Sequence, residues 1–187
     1  MNSIDTAYQF YSRHIFDREK IQLLRSHNLK VAGSVPSVLW ELFGALLTGR
    51  SGAGTTGADL LGWEVKSAKS GGSYEYQYHL NTGEAKLQED CIVNHLFCTY
   101  SDTYDDVTVK VLTGASLANN HFNVWLPLYR ANYDRSADAQ ARRQRFRKSI
   151  SFGYVRDHGE LVLQITGGVI AYRDDGIIRR YNERFVG

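Results

Sequence analysis

The stretch Asp59-Leu-Leu-Gly-Trp-Glu64-Val-Lys66 decides the fold that this sequence predicts. Leu61-Gly62 has the composition of a tight turn, so residues 57–60 and 63–67 are expected to form the two arms of a β-hairpin. Asp59 then lies near the end of one arm and Glu64 near the start of the next, where their carboxylates can converge. We expect this hairpin to supply the centre of the sheet.

The two faces of the second arm differ in chemistry. Side chains alternate along a strand, so Glu64 and Lys66 share one face while Trp63 and Val65 share the other. The Trp63 face is apolar and is predicted to belong to the core. The opposite face carries the acidic and basic groups of a candidate site.

Converging carboxylates followed by a lysine suit metal-dependent cleavage of a phosphodiester. Asp59 and Glu64 offer the hard oxygen ligands that Mg²⁺ prefers, with the Val65 carbonyl as a further ligand. Such a metal acts as a Lewis acid on a phosphate oxygen and lowers the pKa of its water. The Lys66 ammonium can touch the attacking water or the charge that develops on phosphorus. The alternative is an ordinary solvated strand face.

A helix is predicted over Pro36–Thr48, immediately before this stretch. Its residues are apolar almost all round except for Glu41, and proline suits a first helical turn. A charge on such a helix requires a partner. Glu41 is therefore either paired with a basic residue or an accessory metal ligand.

The glycine-rich segment Gly49–Gly57 joins this helix to the hairpin. It contains G-x-G-x-x-G, but a dinucleotide site needs a strand before the loop and a helix after it, the reverse of this order. A Walker A loop is also excluded, because Thr55 stands where the lysine should be. The segment is either a loop that approaches DNA, with Arg50 and Ser51 contacting phosphate, or a plain linker.

Taken together, these features resemble the restriction-endonuclease branch of the PD-(D/E)XK nuclease superfamily, over about residues 36–112. Ala58 stands where the superfamily name has proline. The resemblance implies an α/β fold, with a restriction-endonuclease-like mixed central sheet of about five strands flanked by helices on both faces. It also implies Mg²⁺-dependent hydrolysis of double-stranded DNA. Asp59, Glu64 and Lys66 would then be catalytic, and Glu41 a second-tier metal residue.

By length and overall character, the chain also resembles the small catalytic subunit of a heterodimeric type IIS restriction endonuclease. That resemblance implies cutting of one strand together with a larger recognition subunit that cuts the other. Three alternatives remain open: a self-sufficient homodimeric type II enzyme, a non-catalytic DNA-binding module on a nuclease fold, and a nicking enzyme of DNA repair.

Further candidate DNA contacts lie after the hairpin. Lys69 is either a phosphate contact or a solvated lysine. In the strand predicted over residues 74–79, the three tyrosines are more often sheet packing than nucleotide contacts. If the tyrosines face inward, Gln77 and His79 face the cleft, where His79 either binds phosphate or positions water, unless its role is structural.

Basic charge is concentrated late in the chain. Residues 130–148 carry seven basic and two acidic side chains, whereas the whole protein has a net charge of only +2. A helix is predicted over residues 136–148, followed by a terminal antiparallel meander of three strands beginning at Ser149. The arginines Arg142, Arg143 and Arg145 are expected to bind the DNA backbone, with an acidic partner or solvent as alternatives.

Length and composition predict one domain spanning residues 1–187, with the basic helix and terminal strands at 130–187. No apolar run reaches the ~20 residues of a membrane span, and no signal peptide is apparent, so no membrane partner is expected. Cys91 and Cys98 are expected to be buried free thiols in a reducing cytoplasm.

Overall fold

A computed structural model of the chain describes residues 3–54, 57–134, 136, 138, 140 and 145–185. The strands, numbered in chain order, are β1 (Trp63–Lys69), β2 (Ser73–His79), β3 (Asn94–Tyr100), β4 (Val107–Thr113), β5 (Arg145–Ser151), β6 (Glu160–Thr166) and β7 (Val169–Arg173).

The α-helices are α1 (Ser3–Phe10), α2 (Arg18–Ser26), α3 (Ser37–Thr48), α4 (Gly83–Asp90), α5 (Gly114–Leu117), α6 (Asn123–Asn132), α7 (Phe152–His158) and α8 (Asp175–Asn182). The described residues also form short π-helices at Tyr11–Ile15 and Ala118–Phe122 and a 3₁₀ turn at Glu183–Phe185.

Five strands form a mixed sheet in the order β1-β3-β4-β6-β7. Strand β1 runs parallel to β3, and each of the other neighbouring pairs is antiparallel. Strands β2 and β5 pair separately as an antiparallel two-stranded ribbon. The prediction of an α/β fold with a central mixed sheet of about five strands is therefore confirmed.

The position predicted for the hairpin in this sheet is wrong. In the described part of the chain, β3 is the neighbouring strand of β1 in the sheet, so β1 lies at the edge of the sheet and not at its centre. Asp59 belongs to no strand, and the first arm is reduced to bridges that Leu60 makes with Gly52 and Trp63. The loop around Asp59 thus lies along the side of β1 that a further strand would otherwise occupy.

The sheet is packed on both faces, as alternation along its strands requires. In β3, Leu96 and Cys98 belong to a core shared with α1, α3 and α8, while Phe97 belongs to a second core under the ribbon and α6. The Tyr74 ring meets Phe97 edge-on at 4.8 Å. Trp63 and Val65 are buried in the first core, as predicted.

Helix α3 approaches β1 closely because it carries a glycine at the contact. A Cβ placed on Gly44 would lie 2.7 Å from Cγ2 of Val65, well inside the distance at which carbon atoms can pack. Glycine therefore fixes how near α3 lies to the strand that carries Glu64 and Lys66.

The apolar repeat of residues 4–27 predicts a single helix, but that helix is interrupted. The chain leaves helical geometry at Phe16, and α2 restarts with Asp17 as its N-cap, whose carboxylate accepts a hydrogen bond from the Lys20 N–H at 3.0 Å. An N-capping aspartate inside an apolar repeat is the local signal that overrides the periodicity.

The basic helix predicted over residues 136–148 is also wrong where the structure describes it. Arg145 begins strand β5, because Phe146 and Ile150 alternate inward against the tyrosines of β2. Arg142 and Arg143 lie outside the described residues. The first strand of the predicted meander is wrong as well. The residues from Ser149 belong to β5, which pairs with β2, and helix α7 begins at Phe152.

Two smaller expectations concern the cysteines and membranes. Both cysteines are free, with Cys98 buried and Cys91 only half-buried, so burial was predicted correctly for one of them. None of the helices in the described part of the chain is long and apolar enough to cross a membrane.

Candidate active site

The site begins at the turn predicted from Leu61-Gly62. The backbone N–H of Leu60 donates to the Trp63 carbonyl at 2.9 Å, and the Trp63 N–H donates back at 3.0 Å. Gly62 takes a φ of 78°, which a glycine adopts without strain. This narrow reversal brings Asp59 back alongside the first residues of β1.

Asp59 and Glu64 are joined through the backbone. The Val65 N–H donates to Oδ2 of Asp59 at 2.9 Å, and the Asp59 N–H donates to Oε2 of Glu64 at 3.3 Å. Within a strand the N–H and C=O of one residue point to the same side. The Val65 carbonyl therefore faces the same open edge as Asp59.

Glu64 is a buried carboxylate held by two ammonium groups. Its side chain is 4% exposed; Oε1 accepts from Lys66 Nζ at 2.5 Å and Oε2 accepts from Lys86 Nζ at 2.8 Å. Burial alone would raise the pKa of Glu64, but the two lysines outweigh it and hold that pKa at about 2. Glu64 is therefore ionised throughout the physiological range.

Lys86 was not predicted from the sequence. It lies on α4, one turn before Asp90, and its ammonium pairs with both Asp90 and Glu64. Asp90 is fully buried and also accepts a hydrogen bond from the Tyr78 hydroxyl at 2.8 Å. A lysine and an aspartate at i, i+4 are an ordinary helix pair, so only the fold marks this one as part of the site.

An aromatic layer encloses the ammonium groups from the side of β2. Lys66 Nζ lies 4.8 Å from the centre of the Tyr76 ring, a cation–π contact. The Tyr76 hydroxyl is 2.9 Å from Nδ1 of His95, whose Nε2 donates to the Asp90 carbonyl at 2.8 Å. Burial lowers the pKa of His95 to about 3, so the imidazole is neutral in this network.

The cluster has more negative charge than positive charge. Asp59, Glu64 and Asp90 supply three carboxylates, against the two ammonium groups of Lys66 and Lys86, which leaves a net charge of −1 when all are ionised. Burial, and then the neighbouring Glu64, raise the pKa of Asp59 to about 6. Asp59 is thus a carboxylate whose ionised form lacks sufficient positive charge around it.

The residues that could hold a Mg²⁺ ion are two carboxylates and one backbone carbonyl. Within the residues that the structure describes, no group of three or more His, Cys, Asp and Glu side chains is placed to hold a metal. Magnesium sites in phosphoryl transfer use one or two carboxylates, completed by water and substrate phosphate. Asp59, Glu64 and the Val65 carbonyl supply oxygens of that kind, and a cation would relieve the excess of negative charge.

Glu41 lies half-buried on α3, and its charge adds to the influences that raise the pKa of Asp59. No ion pair joins Glu41 to another described residue. The sequence leaves two roles open for Glu41, and the first of them, a salt bridge, is not found among the described residues. The charge of Glu41 acts on Asp59, which is consistent with the second, the accessory metal role.

The candidate phosphate contacts Arg50, Ser51 and Lys69 lie in different surroundings. The Arg50 guanidinium donates to the side chain and carbonyl of Asn182 at 3.1 and 3.0 Å, which ties the loop to α8. Ser51 is exposed. Lys69 pairs with Asp102 at 2.5 Å, and both side chains are more than half exposed. The structure brings none of these three to Glu64.

The tyrosines of β2 point inward, as predicted, so Gln77 and His79 point outward. Tyr74, Tyr76 and Tyr78 are at most 1% exposed. Gln77 and His79 line an open cleft of about 630 Å³ together with Lys86. Arg145 lies directly across the ribbon from His79. These three outward side chains therefore share the side of the molecule on which Lys86 opens to solvent.

Neither the models of known protein families nor the curated proteins compared with this chain match it.

Proposed function

We propose that the chain is the catalytic subunit of a Mg²⁺-dependent type II DNA endonuclease, which hydrolyses phosphodiester bonds of double-stranded DNA. The observation that carries this proposal is the convergence of Asp59, Glu64 and Lys66 at the open edge of β1. Their hydrogen bonds and ion pairs join two carboxylates and an ammonium group in one partly buried network.

The proposed division of labour follows from the charges. Asp59, Glu64 and the Val65 carbonyl would hold Mg²⁺, with Glu41 as an accessory residue. When bound, the metal supplies Lewis-acid stabilisation of the charge on phosphate. Phosphoryl transfer leaves the protein mainly the tasks of positioning groups and stabilising charge.

Lys66 is proposed to stabilise negative charge and to orient water. Burial would lower the pKa of Lys66, but Glu64 and then Asp59 raise it above its ordinary value. The ammonium therefore keeps its proton and does not act as a base in this arrangement. It has three N–H donors, and the bond to Glu64 uses one of them.

Lys86 is proposed to be a positioning residue that fixes Glu64. Burial would lower its pKa, but Glu64 and Asp90 raise it, so Lys86 is also a permanent cation. With one lysine on each oxygen, the Glu64 carboxylate has a fixed orientation in the absence of DNA. A preset carboxylate lowers the entropic cost of assembling the site.

The assay that tests the proposal uses supercoiled plasmid with Mg²⁺, and the same mixture with EDTA. We expect metal-dependent cleavage that is lost in Asp59→Asn. Nicked product indicates cutting of one strand and favours a separate, larger recognition subunit, which we propose as the partner. Discrete linear fragments from this chain alone indicate a self-sufficient homodimer. A plasmid whose electrophoretic migration is slowed by the protein but which stays uncut under all metal conditions would refute the proposed nuclease activity. That outcome would favour a DNA-binding module.

A further inference from the structure

The outer face of the β2–β5 ribbon is a continuous polar surface. Its register places Gln77 opposite Arg147 and His79 opposite Arg145. Both arginines and His79 are exposed, and Gln77 is half-buried within the cleft wall. The reverse face of the ribbon is buried, so the outward direction of these four side chains is fixed by packing.

The charge of this outer face is suited to a polyanion. Glu75 is the acidic residue near Arg147, at 3.8 Å from its Nε, and both side chains are more than half exposed. An exposed ion pair of that length contributes little, so it leaves the guanidinium available. The face presents guanidinium, amide and imidazole groups and no large apolar side chain, which disfavours a protein partner.

The ribbon is joined rigidly to the candidate active site. Tyr78 and Tyr76, on its buried face, contact Asp90 and Lys66 respectively. Asp90 in turn holds Lys86, which lines the same open cleft as Gln77 and His79. A ligand lying on the outer face of the ribbon would therefore extend along this cleft toward Glu64.

We infer that the outer face of the β2–β5 ribbon enters the major groove of duplex DNA, with Gln77 and Arg147 directed at base edges and His79 and Arg145 at phosphates. The inference rests on the proposed endonuclease function, of which it names the surface by which this chain itself contacts DNA, separate from recognition by the larger partner. The major groove, ~12 Å wide, admits a two-stranded ribbon, whereas the minor groove, ~6 Å wide, does not. The major groove of A-form RNA is too narrow for side chains to read.

The residue types match the chemistry of that groove. Arginine pairs with guanine and glutamine with adenine, each through two hydrogen bonds. The outer residues nearer the other end of the ribbon, Ser73 and Ser151, are small and polar. The side chains proposed to contact DNA are thus concentrated at the end of the ribbon that borders the cleft.

Equilibrium binding of a labelled duplex in EDTA, by fluorescence anisotropy at several salt concentrations, tests the inference without any cleavage step. We expect the double variant Arg145→Gln/Arg147→Gln to bind about tenfold or more weakly. Its log–log salt slope should be smaller by ~0.9, because Arg145 is the one of the two arginines that is assigned to a phosphate. Arg13→Gln/Arg25→Gln, which changes two exposed arginines elsewhere, should match the wild type.

A second arm uses the wild-type protein and needs no substitution. Duplexes containing glucosylated 5-hydroxymethylcytosine have bulky groups in the major groove and an unchanged phosphate backbone. We expect these duplexes to bind more weakly than the plain duplex, and double-stranded RNA to compete poorly with it.

Four outcomes would overturn the inference: unchanged affinity and slope in the ribbon variant, equal binding to glucosylated and plain duplexes, effective competition by RNA, and no duplex binding at low salt. Failure of the proposed function looks different. A plasmid that stays supercoiled with Mg²⁺, while the ribbon variant loses duplex binding, would refute the nuclease and support the ribbon as a DNA-binding surface.

Discussion

Lys86 on helix α4 donates to Glu64 on strand β1 across 2.8 Å, so an element outside the Asp59–Lys66 stretch fixes the central carboxylate of the candidate site. The same ammonium binds Asp90, and both carboxylates are buried. Helix α4 and strand β1 are thereby joined through one cation.

Removing that cation should destabilise the protein strongly. Lys86→Met leaves Asp90, and one oxygen of Glu64, without positive charge in the interior, and loss of one partner of a buried pair costs ~3–5 kcal/mol. Urea denaturation measures the loss, and Lys86→Arg should recover part of it. Lys69→Met, which breaks an exposed pair with Asp102, is the matched control and should cost at most ~1 kcal/mol.

Asp59→Asn should abolish cleavage and, in EDTA, make the fold more stable. The pKa of Asp59 is raised from 3.8 to about 6 in the folded protein. Between pH 3.8 and pH 6 the folded state keeps a proton on Asp59 that the unfolded state has lost. The free energy of unfolding therefore falls as the pH rises, and the total loss reaches about 3 kcal/mol at neutral pH. Asparagine has no such penalty and can still accept from Val65.

The pH dependence provides the check on Asp59→Asn. Its advantage in free energy of unfolding should be largest above pH 6 and should vanish below about pH 4. Mg²⁺ should raise the stability of the wild type more than that of the variant, because only the native site of the wild type keeps both carboxylate ligands. An advantage that is independent of pH would show that the charge of Asp59 is not its cause.

Lys66→Met should reduce the cleavage rate by about 10²–10³-fold, which is the usual effect of removing one group that stabilises transition-state charge. Because Lys66 keeps its proton, Lys66→Arg should retain more activity than Lys66→Met. Single-turnover rates of plasmid nicking at saturating Mg²⁺ make this comparison. Full activity in Lys66→Met would remove the residue from the catalytic set.

His95 should contribute to acid sensitivity. Burial lowers its pKa from 6.5 to about 3. Between these values the unfolded chain binds a proton that the folded chain does not, so stability falls as pH falls, by ~1.4 kcal/mol per pH unit. His95→Gln should be less stable than the wild type at pH 8 and should lose less stability between pH 6.5 and pH 4. Parallel curves would contradict the neutral, buried imidazole.

Gly44→Ala should displace the strand that carries the site. The added Cβ would lie 2.7 Å from Val65 and 3.2 Å from Leu96, and overpacking of this kind costs ~1–3 kcal/mol. Gly153→Ala is a suitable control, because nothing lies within 4 Å of its added carbon and alanine favours a helix. Thermal unfolding should separate the two variants, with the control unchanged or stabilised.

The local parts of this fold could be predicted from the sequence because they depend on nearby residues. The Leu61-Gly62 turn follows from turn composition, and the inward direction of the β2 tyrosines follows from alternation along a strand. The proximity of Asp59, Glu64 and Lys66 is of the same kind, since one tight turn and one strand bring them together.

Features that depend on distant pairing were missed. Strand β1 lies at the sheet edge because of its parallel partner β3, and Lys86 joins the site because α4 packs beside β2; neither relation leaves a local signal. Arg145 to Ser151 was predicted as the end of a helix and the start of a meander. Phe146 and Ile150 are the buried positions of β5, but basic residues surround them in the sequence. Their pattern predicts a strand only when the pairing with β2 is known.

The hydrogen bond from the Val65 N–H to Asp59 also affects the exposed edge of the sheet. An unpaired strand edge is a template on which another chain can assemble, and proteins protect such edges with charges and covering loops. Asp59 does both at the open side of β1: it occupies the Val65 N–H and presents a carboxylate there. A substitution that removes the carboxylate of Asp59 leaves the Val65 N–H unpaired at an exposed strand edge, and it also removes the proposed metal ligand. Self-association is therefore an expected consequence of losing Asp59.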